Sequence, residues 1–555
     1  MSAPPDRSRR DEWLSRRAAL KGLASIGLAA AVTSRTMRAQ SVDPVAETTH
    51  GRVRGIARDG VNIFKGLPYA ASTAGRNRFL PPQPVASWAG VRDATKYGAA
   101  APQGQAPGGP TTAWYYAHAS QSEDCLSLNV FAPAGGGVAR RPVMVWFHGG
   151  SWSLGCGSAP GFEGVGLAKF GDVVLVTVNH RLNVFGYIHL DDRDERFADS
   201  GNAGMLDLVA ALQWVRDNIA VFGGDPGNVT IFGQSGGGAK ISAMMAMPAA
   251  HGLFHKAIAQ SCSGSLRGLE RTIAARTSHD LATRLGLPAA TGSALQAIPT
   301  ERLLAATGPA PQTIPTERSI AAARGAFRPI VDGRALPRHP FHPDAPPISA
   351  AIPYMVGNTA TETTSGAASD RNNFLLGTDE VRRRVADSLR TDEAETTRVL
   401  QGYQAAYPTY SPSEIMLAIT TDYQYIRNTL QQARLQAAAG PAPVYAYVFT
   451  WRTPVMDGLL KSPHMGELPF IFGTTEAAVG RVGESSDHGP LTTMMIATWS
   501  AFARTGNPNN PTLPPWPRYD GHDRLTMQLD VASAVARDPG GQARNLLDRL
   551  PFHEY

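Results

Sequence analysis

Apolar residues in this chain fall into two textures. In the first half they gather in short unbroken runs: Pro142-Val143-Met144-Val145-Trp146-Phe147, Val173-Val174-Leu175-Val176-Thr177-Val178 and Val229-Thr230-Ile231-Phe232. Runs of this length, rich in β-branched residues, predict strands buried on both faces of a mostly parallel sheet. Between the second and third runs, residues 205–219 place Leu206, Val209, Ala210, Leu212 and Val215 at helical spacing. Strand, helix, strand in that order predicts an α/β class, a large sheet flanked by helices. Residues 125–131 alternate apolar and polar, which predicts a half-buried strand. Residues 48–69 suit short strands and turns. Beyond residue 262 the spacing turns helical. Residues 266–306 and 378–438 are rich in Ala, Leu, Arg and Glu at that period, residues 445–451 read as a strand, and residues 494–504 as a helix. No linker interrupts the pattern, so one large domain with helical insertions is expected over residues 40–555.

Composition changes this picture little. The chain is 43% hydrophobic and 18% charged, the balance of a globular protein. Its formal charge of +6 hints at an acidic partner until the charges are located. Residues 1–40 hold eight Lys/Arg and three acids, so the remainder is close to neutral. A near-neutral body gives no reason to expect nucleic acid or an anionic membrane as partner. Residues 1–39 read as a targeting peptide. Ser15-Arg16-Arg17-Ala18-Ala19-Leu20-Lys21 resembles the twin-arginine export signal. The apolar stretch at 22–33 is shorter than the ~20 residues that span a bilayer. A cut near Ala39 is expected, with a periplasmic or secreted product that has no stable membrane insertion after signal removal. Cys125, Cys156 and Cys262 are the only cysteines. An odd count leaves at least one thiol unpaired, and whether Cys156 and Cys262 pair stays open at this stage.

Candidate chemistry starts at Gly233-Gln234-Ser235-Gly236-Gly237, a G-x-S-x-G box. The apolar run before it and a helix-compatible run after it predict a strand, a sharp turn and a helix, with the serine at the tip. Alone, the box also suits an ordinary glycine-rich turn. His148-Gly149-Gly150-Ser151-Trp152 directly follows the run ending at Phe147. A glycine-rich loop after a strand can turn successive backbone N–H groups toward one point, as an oxyanion requires.

Ordered motifs then carry a resemblance. They include Phe64-Lys65-Gly66-Leu67-Pro68-Tyr69-Ala70, Ser122-Glu123-Asp124-Cys125-Leu126-Ser127-Leu128-Asn129-Val130, Val178-Asn179-His180-Arg181-Leu182 and Gly201-Asn202-Ala203-Gly204-Met205-Leu206-Asp207. With these the chain resembles the type-B carboxylesterase family of the α/β-hydrolase fold, which includes cholinesterases and bacterial p-nitrobenzyl esterases. The resemblance runs from about residue 48 to 519. It implies Ser235 as nucleophile, Glu362 as the acid and His464, in His464-Met465-Gly466-Glu467, as the base. It implies an oxyanion hole from the N–H groups of Gly150, Ser151 and Gly236, with no metal and no cofactor. Gly149, Trp152, Trp114 and Tyr115 are candidates for the substrate pocket. The expected partner is a small-molecule ester, and the expected state a monomer or weak homo-oligomer. His148 and His488 are the other histidines weighed as base, and both read better as structural. Amide or lipid-ester cleavage, or a non-catalytic binding role, are the competing functions. The chain departs from the family pattern at Gln234, where glutamate is common, at Ser151, where a third glycine is usual, and at Thr361 and Thr363 around the acid.

Overall fold

The apolar runs become strands of one eleven-stranded sheet in a computed structural model that describes residues 43–106, 111–117, 120–135, 140–190, 194–308 and 326–554. In chain order the strands are β1 (Ile56–Arg58), β2 (Val61–Pro68), β3 (Ser127–Pro133), β4 (Arg141–Phe147), β5 (Val174–Val178), β6 (Gly224–Gln234), β7 (Lys256–Gln260), β8 (Tyr354–Thr359), β9 (Val444–Phe449), β10 (Leu525–Leu529) and β11 (Ala534–Arg537). In space they lie β1-β2-β3-β5-β4-β6-β7-β8-β9-β10-β11. The block from β5 to β10 is parallel throughout. Antiparallel pairs extend it on both sides.

Alternate residues of one strand enter different cores. Val143, Val145 and Phe147 pack on one face of the sheet, Met144 and Trp146 on the other. Both faces are covered, which is why β4, β5 and β6 read as unbroken apolar runs. The half-buried strand expected at 125–131 is corrected by the same fact. In β3, Leu128 through Ala132 are all buried. Its inward polar residue, Asn129, is satisfied rather than solvated: its side chain donates to Thr177 Oγ1 at 2.9 Å and accepts from Gly66 N at 2.9 Å. Alternation here marks an internal hydrogen-bonding position instead of a wet face.

Helices flank the sheet. α1 (Ala203–Asn218) and α2 (Gly236–Ala246) follow the pattern closely. The helical stretch at 378–438 resolves into α3 (Thr378–Leu389), α4 (Glu393–Ala406), α5 (Pro412–Thr421), a π-helical turn at Asp422–Ile426 and α6 (Arg427–Ala439). α3, α4 and α5 share a separate hydrophobic core around Val385, Val399 and Ile419. Further along come α7 (Leu468–Phe472) and α8 (His488–Thr505). All three cysteines are buried and unpaired. The export signal expected at 1–39 lies outside the described residues. Among the described residues, no helix is long and apolar enough to cross a membrane.

Register aligns the carboxyl ends of the parallel strands. Phe147 lies beside Gly233, Gln234 beside Gln260, Gln260 beside Gly357, and Thr359 beside Phe449. Loops leaving β4, β6, β7, β8 and β9 therefore meet at one edge, where α/β sheets hold their ligands.

Candidate active site

Ser235 sits between β6 and α2 with φ 59° and ψ −124°, a conformation that disfavours any side chain. Its surroundings enforce it. Ser235 N donates to Gln260 O at 2.8 Å, and Ser235 O accepts from Ala239 N at 3.0 Å. The glycines of the box are sterically required. A Cβ on Gly233 would lie 2.6 Å from the Gly237 carbonyl carbon, and one on Gly237 would lie 2.0 Å from Phe147 O. One on Gly236 would meet Ser151 O at 2.1 Å, so the helix start is pressed against the 148–151 loop.

That loop is bent by two left-handed residues, Gly150 at φ 87° and Ser151 at φ 54°. Serine, where a third glycine is usual, here takes the left-handed φ that glycine adopts without strain. Gly150 O accepts from Ser153 N at 3.3 Å and Leu154 N at 3.1 Å. Among the described residues, no protein acceptor meets the N–H groups of Gly150, Ser151 or Gly236. Gly236 is also the first residue of α2, where helix N–H groups have no partner in their own helix.

Glu362 and His464 meet beside this turn. Glu362 follows β8 and is 1% exposed. Its Oε1 accepts from Ser261 Oγ at 2.7 Å and Thr359 N at 2.8 Å, and its Oε2 lies 2.5 Å from His464 Nδ1. A carboxylate at Nδ1 holds the proton there and leaves Nε2 as the acceptor. The Gln234 amide nitrogen approaches the ring at 3.3 Å from Nδ1 and 3.2 Å from Nε2. The Tyr425 ring, on the π-helical turn, lies 5.1 Å from the imidazole. Among the described residues no hydrogen bond joins Ser235 Oγ to His464; contacts of this type often close only around substrate.

The two threonines that depart from the family pattern have work here. Thr361 Oγ1 donates to Ser462 O at 2.8 Å, and Ser462 N donates to Thr361 Oγ1 at 2.9 Å. The acid turn is thereby tied to the loop that carries His464. Thr363 Oγ1 donates to Leu417 O at 3.0 Å, which ties the turn to α5.

Several contributors carry no local signal in the sequence. Ser261 and Gln260 act because β7 lies between β6 and β8. Gln260 Nε2 donates to Glu467 Oε1 at 3.1 Å. Glu467 is fully buried, its Oε2 meets no partner among the described residues, and burial, with Glu362 nearby, pushes its carboxyl up to about 8.

The pocket candidates divide. Gly149 N donates to Tyr115 Oη at 3.0 Å, and Tyr115 Oη donates to Gln234 Oε1 at 3.1 Å. Tyr115 is wholly buried and supports the site from behind. Trp152 packs on Tyr187, and Trp114 packs on Tyr115 over Gly161; both are buried. Each of these aromatics is enclosed by protein. His148 is buried, stacks on His180 at 4.7 Å, and is held uncharged to about pH 3 by burial and the nearby Lys240. His488 stands at the start of α8 against Trp451 and Phe470. A cavity of about 610 Å³ lies beside the turn that carries Glu362, lined by Asn358, Thr361, Thr364, Tyr410, Leu417 and Lys461; neither Ser235 nor His464 is in its wall.

Comparison with known proteins identifies the family from three sides. Residues 42–545 match the model of the carboxylesterase family. The chain is 36% identical over 516 residues to para-nitrobenzyl esterase of Bacillus subtilis, covering 91% of this chain and 98% of that protein. It is 33% identical over 500 residues to phenmedipham hydrolase of Pseudarthrobacter oxydans, covering 89% and 97%. Among solved structures, Geobacillus stearothermophilus carboxylesterase EST55 aligns with a TM-score of 0.76 at 37% identity, covering 90% of this chain and 99% of that one.

Proposed function

Since this chain belongs to the carboxylesterase family and is a carboxylic ester hydrolase of the α/β-hydrolase fold, we propose that it works through Ser235 as nucleophile, His464 as general base and Glu362 as the acid. The observation that carries this reading is the 2.5 Å contact between Glu362 and His464 Nδ1 next to a serine on a strained strand-to-helix tip. Ser235 Oγ attacks the ester carbonyl and passes its proton to His464 Nε2. Glu362 keeps the imidazole in the required tautomer and balances the charge it gains. The carbonyl oxygen, now negative, takes hydrogen bonds from Gly150, Ser151 and Gly236 N–H, worth ~3 kcal/mol for a single donor. The alcohol leaves with the proton from His464, giving an acyl-enzyme. Water then attacks that acyl carbon with His464 as base, and the acid departs.

A nitrobenzyl ester appears in the name of one relative, which supports small esters with an aromatic leaving group as the first substrates to try. Replacing Ser235 by Ala is expected to lower kcat on p-nitrophenyl acetate by at least about 10³-fold with folding intact. Full activity in Ser235→Ala would remove the mechanism.

Export is part of the same proposal. It rests on Arg16-Arg17, the apolar stretch that follows and Lys21. Changing Arg16 and Arg17 together to Lys is expected to trap the protein in the cytoplasm. An unchanged periplasmic yield from that double variant would count against the twin-arginine route.

A further inference from the structure

Lys240 is a lysine with no solvent exposure, five residues after Ser235 on α2. Its Nζ donates to Ser151 O at 2.9 Å and to His148 O at 3.2 Å, and sits 5.1 Å from the centre of the Trp152 ring. Among the described residues, no carboxylate lies within ion-pair distance of it. Side chains of a helix lean toward its N-terminus, and residues four apart share a face. Gly236 and Lys240 are such a pair. The missing Cβ of Gly236 admits the Ser151 carbonyl, and the Lys240 chain reaches down the same face to bond it.

The two carbonyls it holds have a defined place in the loop. They belong to the His148–Gly149 and Ser151–Trp152 peptides. The peptides between them carry the N–H groups of Gly150 and Ser151. Pinning the two outer peptides fixes the direction of the two inner ones. The loop needs such a hold, because two successive residues have positive φ.

We propose that Lys240 is a positioning residue of the oxyanion hole: its buried ammonium clamps the 148–151 loop to the start of α2 and sets an uncompensated positive charge behind the anion-binding amides. This rests on the serine hydrolase reading above. The titratable groups facing Lys240 are His148 and His180, and burial together with Lys240 itself holds both uncharged. Gln234, where the family often has glutamate, adds no negative charge to the region. A cation buried without a counter-ion is stabilised when an anion forms nearby, so its interaction strengthens in the transition state and not in the ground state. Burial also lowers the Lys240 ammonium to about 7. The charge is present below that pH and lost above it, so kcat should fall along a basic limb as pH rises through about 7.

The test uses the full chain with Lys240→Met and Lys240→Gln. For Lys240→Met, kcat on p-nitrophenyl acetate should fall roughly 10- to 100-fold while KM stays within about twofold. Affinity for an alkyl trifluoromethyl ketone, whose adduct places an alkoxide in the oxyanion hole, should weaken by the same factor as kcat/KM. The basic limb should vanish in both variants. Lys240→Gln retains a hydrogen-bond donor, and carries the test if the methionine variant does not fold. Wild-type kcat, inhibitor affinity and pH profile in a folded variant would overturn the proposal. So would a kcat loss with unchanged inhibitor affinity. Ser235→Ala run in parallel separates the two readings: its inactivity beside a wild-type-like Lys240 variant leaves the hydrolase mechanism standing and removes only the role of Lys240.

Discussion

Around Ser235 a single methyl group exceeds the space available, whereas around Glu362 the geometry is set by hydrogen bonds between loops. On the first side, backbone atoms of β4, of the 148–151 loop and of α2 approach to 2.0–2.7 Å of where a Cβ would stand on Gly233, Gly236 or Gly237. On the second, Glu362 is held by Ser261, Thr359 and His464, and its turn by Thr361 and Thr363. Ser235 is thus positioned by what cannot fit, and Glu362 and His464 by what must be bonded.

The comparison can be broken by three variants. The largest effect is expected from Glu362→Gln, which keeps the shape of the side chain but removes the charge that fixes the imidazole tautomer. Its kcat should fall by about 10⁴-fold, with melting temperature little changed. A loss under tenfold would mean that hydrogen bonding does not control this side. Gly237→Ala comes next. With Phe147 O in the way, the turn must shift, and a displacement near 1 Å costs about 10²-fold in rate. Melting temperature should drop together with kcat; a variant indistinguishable from wild type would refute the steric account. The smallest effect concerns Glu467. Its folded carboxyl titrates at about 8, above the ordinary value of 4.5. Below 4.5 both folded and unfolded chains are protonated. Between 4.5 and 8 only the unfolded chain loses the proton, so stability falls across that window. Denaturation as a function of pH should show Glu467→Gln free of this decline, a difference on the order of a few kcal/mol at the alkaline end. Parallel curves for the two proteins would show that the carboxyl is not held neutral.

The same contrast explains what the sequence revealed. Steric demands leave a local trace, because only glycine satisfies them, and so the Ser235 turn and the Gly149-Gly150 loop were visible as motifs. β4 and β5 were visible because burial on both faces requires an unbroken apolar run. Hydrogen-bond positioning leaves no such trace. Ser261 and Gln260 reach Glu362 and Glu467 only because β7 separates β6 from β8, and β7 itself, Lys-Ala-Ile-Ala-Gln, is too short and alanine-rich to stand out. Glu362 and His464 came through resemblance to a family rather than through spacing. Asn129 shows a related limit: in an alternating run a polar residue can mark an internal bond as well as an exposed face. Lys240 carries no local signal either, and every other residue of α2 is buried with it. A helix that is apolar on all sides is enclosed, and any charged residue within it is enclosed too.

Cys125, Cys156 and Cys262 carry one more consequence. All are buried, none is bonded to another, and burial raises each thiol, which disfavours the reactive thiolate. The body therefore draws no stability from an oxidising environment and loses none in a reducing one. Its folding places no redox condition on the compartment, so the place where this chain folds and the place where it works are free to differ.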